Sequence, residues 1–120
     1  INCKTFYNEE SDFSNGVPKC KCGGLIRPDV VWCGEYLPED QFEGSEQAAI
    51  NSDMFFVVGT SAVVYPAAGL VHAAKRAGSF IVEVNIEQTE ISSICNASFF
   101  GEAGKILPEM VMELKKNKKL

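Results

Sequence analysis

The sequence is poor in several features, and each shortage excludes a class of protein. Its 120 residues include a single histidine, contain no internal repeat, and have no apolar run near the roughly 18 residues that a membrane helix needs. Basic residues number 11 against 16 acidic ones, for a net charge of -5. This balance argues against nucleic acid and anionic membranes as partners. Because the first residues also show no signal peptide, we expect a soluble, cytoplasmic protein.

The cysteines do not fit a disulfide framework, because their number, five, is odd. Cys20-Lys-Cys22-Gly-Gly is a glycine-bearing turn typical of a zinc knuckle, although it is one residue shorter than usual. Cys3 precedes this turn at the spacing expected of the first knuckle of a zinc ribbon, whose other ligand would be the residue before Ile1. The sequence therefore leaves two alternatives: a structural zinc held by Cys3, Cys20 and Cys22, or ordinary reduced thiols. The other two cysteines are predicted to be small buried residues: Cys33 and Cys95.

The pattern of apolar residues predicts an α/β domain preceded by a polar segment. Residues 1–28 are too polar to bury much surface without a metal or a neighbour. From Val30 onward, strands and helices alternate as in a parallel doubly wound sheet. The predicted strands are 30–34, 54–59 (buried on both faces, because its apolar run is continuous) and 79–85, and the predicted helices are 38–52, 66–78 and 107–117. Three strands are few for such a sheet, so we expect that the other half of this domain is not part of this chain.

The stretch VVGTSAVVYPAAGL at 57–70 indicates a binding site at the end of a strand. A strand followed by Gly-Thr-Ser and then a helix can offer backbone N–H groups to a phosphate. The glycine fingerprint usual at such sites is missing. The plain alternative is that Gly59 ends the strand and that Thr60 and Ser61 cap the next helix.

Four motifs stand in the order CGGLIRPDVVWCGEYLP, VVGTSAVVYPAAGL, IVEVNIE and FFGEAGKILPEMV. Together they resemble the C-terminal part of a sirtuin, a member of the NAD-dependent protein-lysine deacylases, and most of all the branch with bacterial and desuccinylase-type enzymes. The resemblance implies a partial zinc-ribbon module at 1–28 and the C-terminal half of a Rossmann-like NAD-binding domain at 29–120. It also implies NAD and structural zinc as cofactors, and acylated-lysine proteins as substrates.

The resemblance assigns binding roles to individual residues. For NAD they are Gly59, Thr60 and Ser61 at the phosphate and ribose, Asn85 and Glu87 at the adenosine ribose, and Ala103, whose backbone meets the adenine. For the acyl-lysine peptide they are Val31 and Cys33 beside the acyl-lysine, with Gly34, Glu35 and Tyr36 on one side of the peptide strand and Val63, Val64 and Tyr65 on the other.

Two departures from the family pattern bear on activity. Cys33 replaces a phenylalanine usual in the family, which reduces the wall beside the acyl-lysine. Nothing in the sequence matches the N-terminal half of a sirtuin, including its catalytic histidine, and His72 is predicted to be structural or exposed on the surface. We therefore expect no catalytic residue in this chain, which would be a fragment that is inactive alone. The alternatives are a non-catalytic module that binds dinucleotide or acyl-peptide, a zinc-stapled interaction domain, or an ADP-ribosyltransferase on the same fold.

Overall fold

The computed structural model describes residues 3, 5–7, 14 and 16–117. The chain divides into a smaller unit, Ile1–Leu37, and a larger unit, Pro38–Leu120. The predicted modules 1–28 and 29–120 stay a prediction. None of the helices in the described part of the chain has the length and apolar character needed to cross a membrane.

The larger unit alternates helices and strands. In chain order the elements are α1 (Glu39–Ile50), β1 (Met54–Val58), α2 (Gly69–Ala77), β2 (Phe80–Asn85), a short 3-10 helix (Glu90–Ile94), β3 (Ala97–Phe100) and α3 (Ala103–Asn117). The helix predicted at 38–52 and the strands predicted at 54–59 and 79–85 are confirmed to within about two residues. Helix α2 begins three residues later than predicted because the preceding residues form a turn, in which the Ala68 N–H donates to the Val64 carbonyl. Helix α3 begins four residues earlier than predicted, with Pro108 inside it.

The sheet has three parallel strands in the order β1-β2-β3, so the predicted parallel sheet is confirmed. Its third strand is β3, which the sequence analysis missed. The strand predicted at 30–34 is wrong: this segment is an exposed turn in the smaller unit. Side chains satisfy its backbone instead of a neighbouring strand, since Arg27 donates to the Val30 carbonyl and the Trp32 N–H donates to Glu35.

The core lies on one face of the sheet, where α1 and α2 cover it. Its buried members are Ala49, Val57, Val71, Ala74, Ile81 and Ile91. The prediction that β1 is buried on both faces is wrong, because alternate residues point away from this core. Phe56 is 44% exposed, and its neighbours Met54 and Val58 are also exposed. Successive side chains of a strand point to opposite faces, and α1 and α2 cover the face that carries Val57, so the side chains on the other face of β1 stay exposed.

Candidate functional site

The carboxyl ends of the three strands are joined by hydrogen bonds. The Gly59 N–H donates to the Val84 carbonyl over 3.0 Å, and the Gly101 N–H donates to the Asn85 carbonyl over 2.7 Å. The Asn85 side-chain amide donates to the Thr60 carbonyl over 2.8 Å. The turns that follow β1, β2 and β3 therefore form one continuous edge, which is where parallel α/β sheets bind ligands.

The turn after β1 uses two left-handed residues. Gly59 has φ +61°, which glycine adopts without steric cost, and Ala62 has φ 53°, which is uncommon for a residue with a Cβ. The Thr60 hydroxyl accepts the Ala62 N–H over 3.1 Å and stabilises the turn from within. The hydrogen of that hydroxyl can still be donated to a ligand.

An open cavity of about 600 Å³ lies at this edge. It is lined by Ser61, Val63, Glu87, Gln88, Thr89 and Glu90. Three residues assigned to ligand binding by the sequence thus share one cavity: Ser61 and Glu87 for NAD, and Val63 for the peptide. The cavity combines hydroxyl and amide groups with carboxylates, which can accept hydrogen bonds from hydroxyl-rich ligands.

Two further residues that the resemblance assigns to NAD, Asn85 and Ala103, do not line this cavity. Asn85 is only 8% exposed. Its side-chain oxygen accepts the Ile86 N–H, and its side-chain NH₂ donates to the Thr60 carbonyl. Its side chain therefore supports the turns, and its contact with ribose stays a prediction. Ala103 is the first residue of α3, directly after the turn that follows β3.

A buried carboxylate lies immediately behind this edge. Glu83, in the middle of β2, is fully buried and accepts hydrogen bonds from three hydroxyls: Thr89 at 2.5 Å, Ser92 at 2.6 Å and Ser98 at 2.8 Å. Removal from water raises the pKa of Glu83, but the three donors outweigh this effect and hold the pKa below its ordinary value. The sequence analysis missed this residue, although a glutamate within an otherwise apolar strand, FIVEVN, was a usable signal.

The smaller unit contains a cluster of three thiols. The Sγ atoms of Cys3, Cys20 and Cys22 all lie within 4.8 Å of one another, and those of Cys3 and Cys20 are 3.4 Å apart. The turn that carries Cys20 and Cys22 is closed by the Cys20 N–H donating to the Gly24 carbonyl over 2.8 Å. The structure thus brings together the three residues that the sequence predicts as metal ligands.

The cluster fits a metal with thiolate ligands. Sulfurs bound to a tetrahedral zinc lie roughly 3.8 Å apart, so small movements would place these three around one ion. Hydrogen bonds from the Thr5 side chain and backbone, and then from the other two cysteines, lower the pKa of Cys3 to about 6. The Tyr7 hydroxyl donates to the Cys20 sulfur over 3.1 Å. The donors to Cys3 favour its thiolate form, which is the form that binds metal.

A second feature of the smaller unit is the loop from Arg27 to Glu35. The Arg27 guanidinium binds both carboxylate oxygens of Glu35, at 2.6 and 2.9 Å, and lies 5.7 Å from the centre of the Trp32 ring. The Trp32 N–H also donates to Glu35, over 3.0 Å. Arg27, with the Trp32 N–H second, lowers the pKa of Glu35 to about 2. Sequence reasoning missed Arg27, although its place before the loop, in LIRPD, is visible.

This ion pair predicts an acid-induced change in the loop. An unfolded glutamate has a pKa of about 4.3, so the lowered pKa contributes stability above that pH. We expect the contribution to be lost as the pH falls from about 4.3 towards about 2. The fluorescence of Trp32, the one tryptophan in the chain, should report the change, and the Glu35→Gln variant should lack it. Glu102→Gln, which breaks an exposed pair with Lys105, is the control. An identical acid transition in the wild type and the Glu35→Gln variant would contradict the assignment.

The residues assigned to the peptide are exposed. They are Val31, Cys33, Gly34, Glu35 and Tyr36 in the smaller unit and Val63, Val64 and Tyr65 in the larger one. The prediction that Cys33 is buried is wrong, because it belongs to the exposed turn described above. The prediction that Cys95 is buried holds in part, because Cys95 is partly buried and packs against the core. His72 is half-buried on α2, consistent with a structural position.

Comparisons with known proteins agree with this architecture. The family model described as "Sir2 family" matches residues 1–66. The chain is 44% identical over 117 residues to NAD-dependent protein deacylase 2 of Pyrobaculum aerophilum, covering 97% of this chain and 47% of that protein. It is 40% identical to a mutant Sir2 homologue solved with ADP ribose, with a TM-score of 0.86, covering 96% of this chain and 47% of the other. It is also 40% identical to Sir2Af2 bound to a myristoylated histone peptide, with a TM-score of 0.80, covering 87% and 43%.

Fold and site define the class: a parallel Rossmann-like α/β domain with a cavity at the carboxyl edge of its sheet, and a cysteine cluster in the smaller unit. The chain belongs to the Sir2 family. It spans about half the length of the curated relatives that it matches.

Proposed function

We propose that the protein containing this chain is an NAD-dependent protein-lysine deacylase, to which the chain contributes part of the NAD site and part of the peptide site. The observation that carries the proposal is the cavity at the carboxyl edge, where Ser61 and Glu87 face the same space. Support comes from Sir2 relatives that are named NAD-dependent protein deacylases and from a related structure solved with ADP ribose.

In this proposal the turn after β1 binds the phosphate and ribose part of NAD. Gly59 allows the backbone to turn towards the ligand, and the Thr60 and Ser61 hydroxyls donate to its oxygens. The Glu87 carboxylate accepts hydrogen bonds from the adenosine ribose hydroxyls, with Asn85 positioned behind it. The backbone at Ala103 meets the adenine.

The exposed segments of each unit bind the acyl-lysine peptide. The backbone of 34–36 in the smaller unit and the backbone of 63–65 in the larger unit are each proposed to pair with extended peptide, so main-chain hydrogen bonds supply affinity whatever the peptide sequence. Val31 and Cys33 contact the acyl-lysine side chain. The proposal is supported by related Sir2 structures solved with myristoylated and propionylated peptides.

The thiol cluster holds a structural zinc in the same proposal. Cys3, Cys20 and Cys22 supply three thiolates, and the fourth donor comes from outside the described residues. When bound, zinc stabilises the smaller unit, whose described residues bury little apolar surface.

The proposed reaction transfers the acyl group from lysine to the ADP-ribose part of NAD. When bound, NAD would supply the ribose carbon C1′ that accepts the acyl oxygen as nicotinamide leaves, and with one water the overall products would be nicotinamide, free lysine and an O-acyl-ADP-ribose. The general base lies outside this chain. The residues of this chain bind and orient the two substrates, which lowers the barrier by positioning.

The test uses the complete reading frame that contains these residues, incubated with NAD and acetyl-, succinyl- or myristoyl-lysine peptides. We expect release of nicotinamide and formation of O-acyl-ADP-ribose by mass spectrometry with at least one of these peptides, and none with unmodified lysine. Transfer of label from NAD to protein would instead favour an ADP-ribosyltransferase. Binding of acyl-peptide or ADP ribose without turnover would favour a non-catalytic module.

A matched pair of variants tests the cavity. Ser61→Ala should raise the KM for NAD about tenfold, because one hydrogen bond to a charged ligand is lost. Ser93→Ala, on the exposed side of the 3-10 helix and outside the cavity, should leave the KM unchanged. Equal effects of the two variants would contradict the assignment of Ser61.

A further inference from the structure

We propose that Glu83 is a positioning residue: its buried carboxylate fixes Thr89 and thereby holds the loop 86–89 in the shape that forms one wall of the carboxyl-edge cavity. The inference rests on the proposed function, because it assigns the support of the same NAD site. Glu83 would act through Thr89 and Glu87, without touching the ligand.

The loop is fixed at both ends, and at the second end Glu83 acts together with Ser92, which forms a capping box with Thr89. At the first end the Asn85 side chain accepts the Ile86 N–H and binds the Thr60 carbonyl. At the second end the Thr89 hydroxyl donates to Glu83 Oε1 over 2.5 Å. The two residues between Ile86 and Thr89 are Glu87 and Gln88, and both line the cavity.

The hydrogen bonds around Thr89 require an acceptor at position 83. The Ser92 hydroxyl accepts the Thr89 N–H over 2.9 Å, so its own hydrogen is directed to Glu83 Oε2. Ser98 on β3 donates to the same oxygen. The carboxylate therefore joins β2, β3 and the start of the 3-10 helix at one buried point, and Thr89 binds an oxygen that no other described hydroxyl uses.

A fully buried carboxylate is a costly way to join strands that already share backbone hydrogen bonds. An apolar residue at position 83 would fill the same space in β2 without that cost, but it would leave the Thr89 hydroxyl without an acceptor. The geometry is thus better suited to holding the loop in one conformation than to stabilising the sheet. A loop held in its bound shape loses less entropy when a ligand binds.

Three variants of the complete gene product test the inference. Thr89→Val removes the hydroxyl, Thr89→Ser keeps it, and Glu83→Gln keeps the size of the side chain but replaces an acceptor oxygen with a donor. Affinity for ADP ribose is measured by titration calorimetry, and the KM values for NAD and for acyl-peptide are measured separately. Ser93→Ala serves as the control.

We expect Thr89→Val and Glu83→Gln to weaken ADP-ribose binding and raise the KM for NAD by about tenfold, with the KM for peptide unchanged and Thr89→Ser close to wild type. The inference is overturned if both KM values change in parallel with a lowered unfolding temperature, since that pattern marks a merely structural role. It is also overturned if the variants bind ADP ribose as tightly as a binding-competent wild type, a result that leaves the proposed function intact. If the wild type itself binds no ADP ribose and releases no nicotinamide, the proposed function fails and the inference fails with it.

Discussion

Cys20→Ser is expected to lower the zinc content of the protein from about one ion per chain to less than about a tenth of that value. Cys20 is the buried member of the thiol cluster, and its sulfur lies 3.4 Å from that of Cys3. Serine is a poor zinc ligand at neutral pH. A structural zinc contributes about 10–16 kcal/mol to the folding of small zinc modules, so its loss should also unfold the smaller unit. Elemental analysis of protein purified under reducing conditions measures the metal.

Cys33→Ser is the matched control for this experiment. Cys33 is another exposed thiol of the smaller unit, but it lies outside the cluster. Its replacement should leave the zinc content at the wild-type value. A wild-type protein that contains no zinc, or a Cys20→Ser variant that retains it, would show that the cluster consists of ordinary thiols.

Ile81→Ala is expected to lower the free energy of unfolding by about 3 kcal/mol. Ile81 is fully buried in the central strand and belongs to the core between the sheet and helices α1 and α2. Its backbone is fixed by Asn96, because its N–H donates to the Asn96 side chain and its carbonyl accepts the Asn96 N–H. The surroundings therefore cannot collapse easily into the cavity that the substitution creates. Urea unfolding followed by circular dichroism measures the change.

Ile86→Ala provides the same chemical change at an exposed position of the same chain segment. Ile86 is 73% exposed, directly after β2. Its replacement should change the free energy of unfolding by less than about 0.5 kcal/mol. If both variants lost the same stability, burial in the core would not be the cause.

Most of the fold could be predicted from the sequence because its signals are local. The run MFFVV is continuous and apolar, FIVEVN is apolar except for Glu83 and Asn85, and α2 ends just before Gly78, which adopts the left-handed conformation usual for a residue that ends a helix. The segment at 30–34 has the same apolar, β-branched character, yet it forms a turn. Side chains hold this turn, since Arg27 donates to the Val30 carbonyl and Glu35 accepts the Trp32 N–H, and no local pattern reveals these contacts.

The third strand was missed for a different reason. Ala97–Phe100 is four residues long and follows a short 3-10 helix, so no periodic signal marks it. Its pairing with β2 depends on partners far along the chain, such as Val82 opposite Ala97. Strand propensity of so short a segment is weak against such tertiary contacts.

The candidate site could be predicted in its exposed parts but not in its buried support. The glycine and hydroxyls of the turn after β1, and the three cysteines, carry recognisable spacing in the sequence. The hydroxyls around Glu83 come from three separate positions along the chain, Thr89, Ser92 and Ser98. Only the folded arrangement of β2, the 3-10 helix and β3 brings them to one carboxylate.

The order of the strands also has a consequence for how the larger unit forms during synthesis. Each strand pairs with the one made just before it, so the sheet can grow from β1 to β3 in the direction in which the chain emerges. Ribosomes add about 5–20 residues per second, which is slow compared with the closure of loops of this length. β1, α2 and β2 can therefore assemble before β3 is available. Until Ser98 arrives with β3, Glu83 lacks one of its three donors, so the carboxylate network is complete only once β3 has joined the sheet.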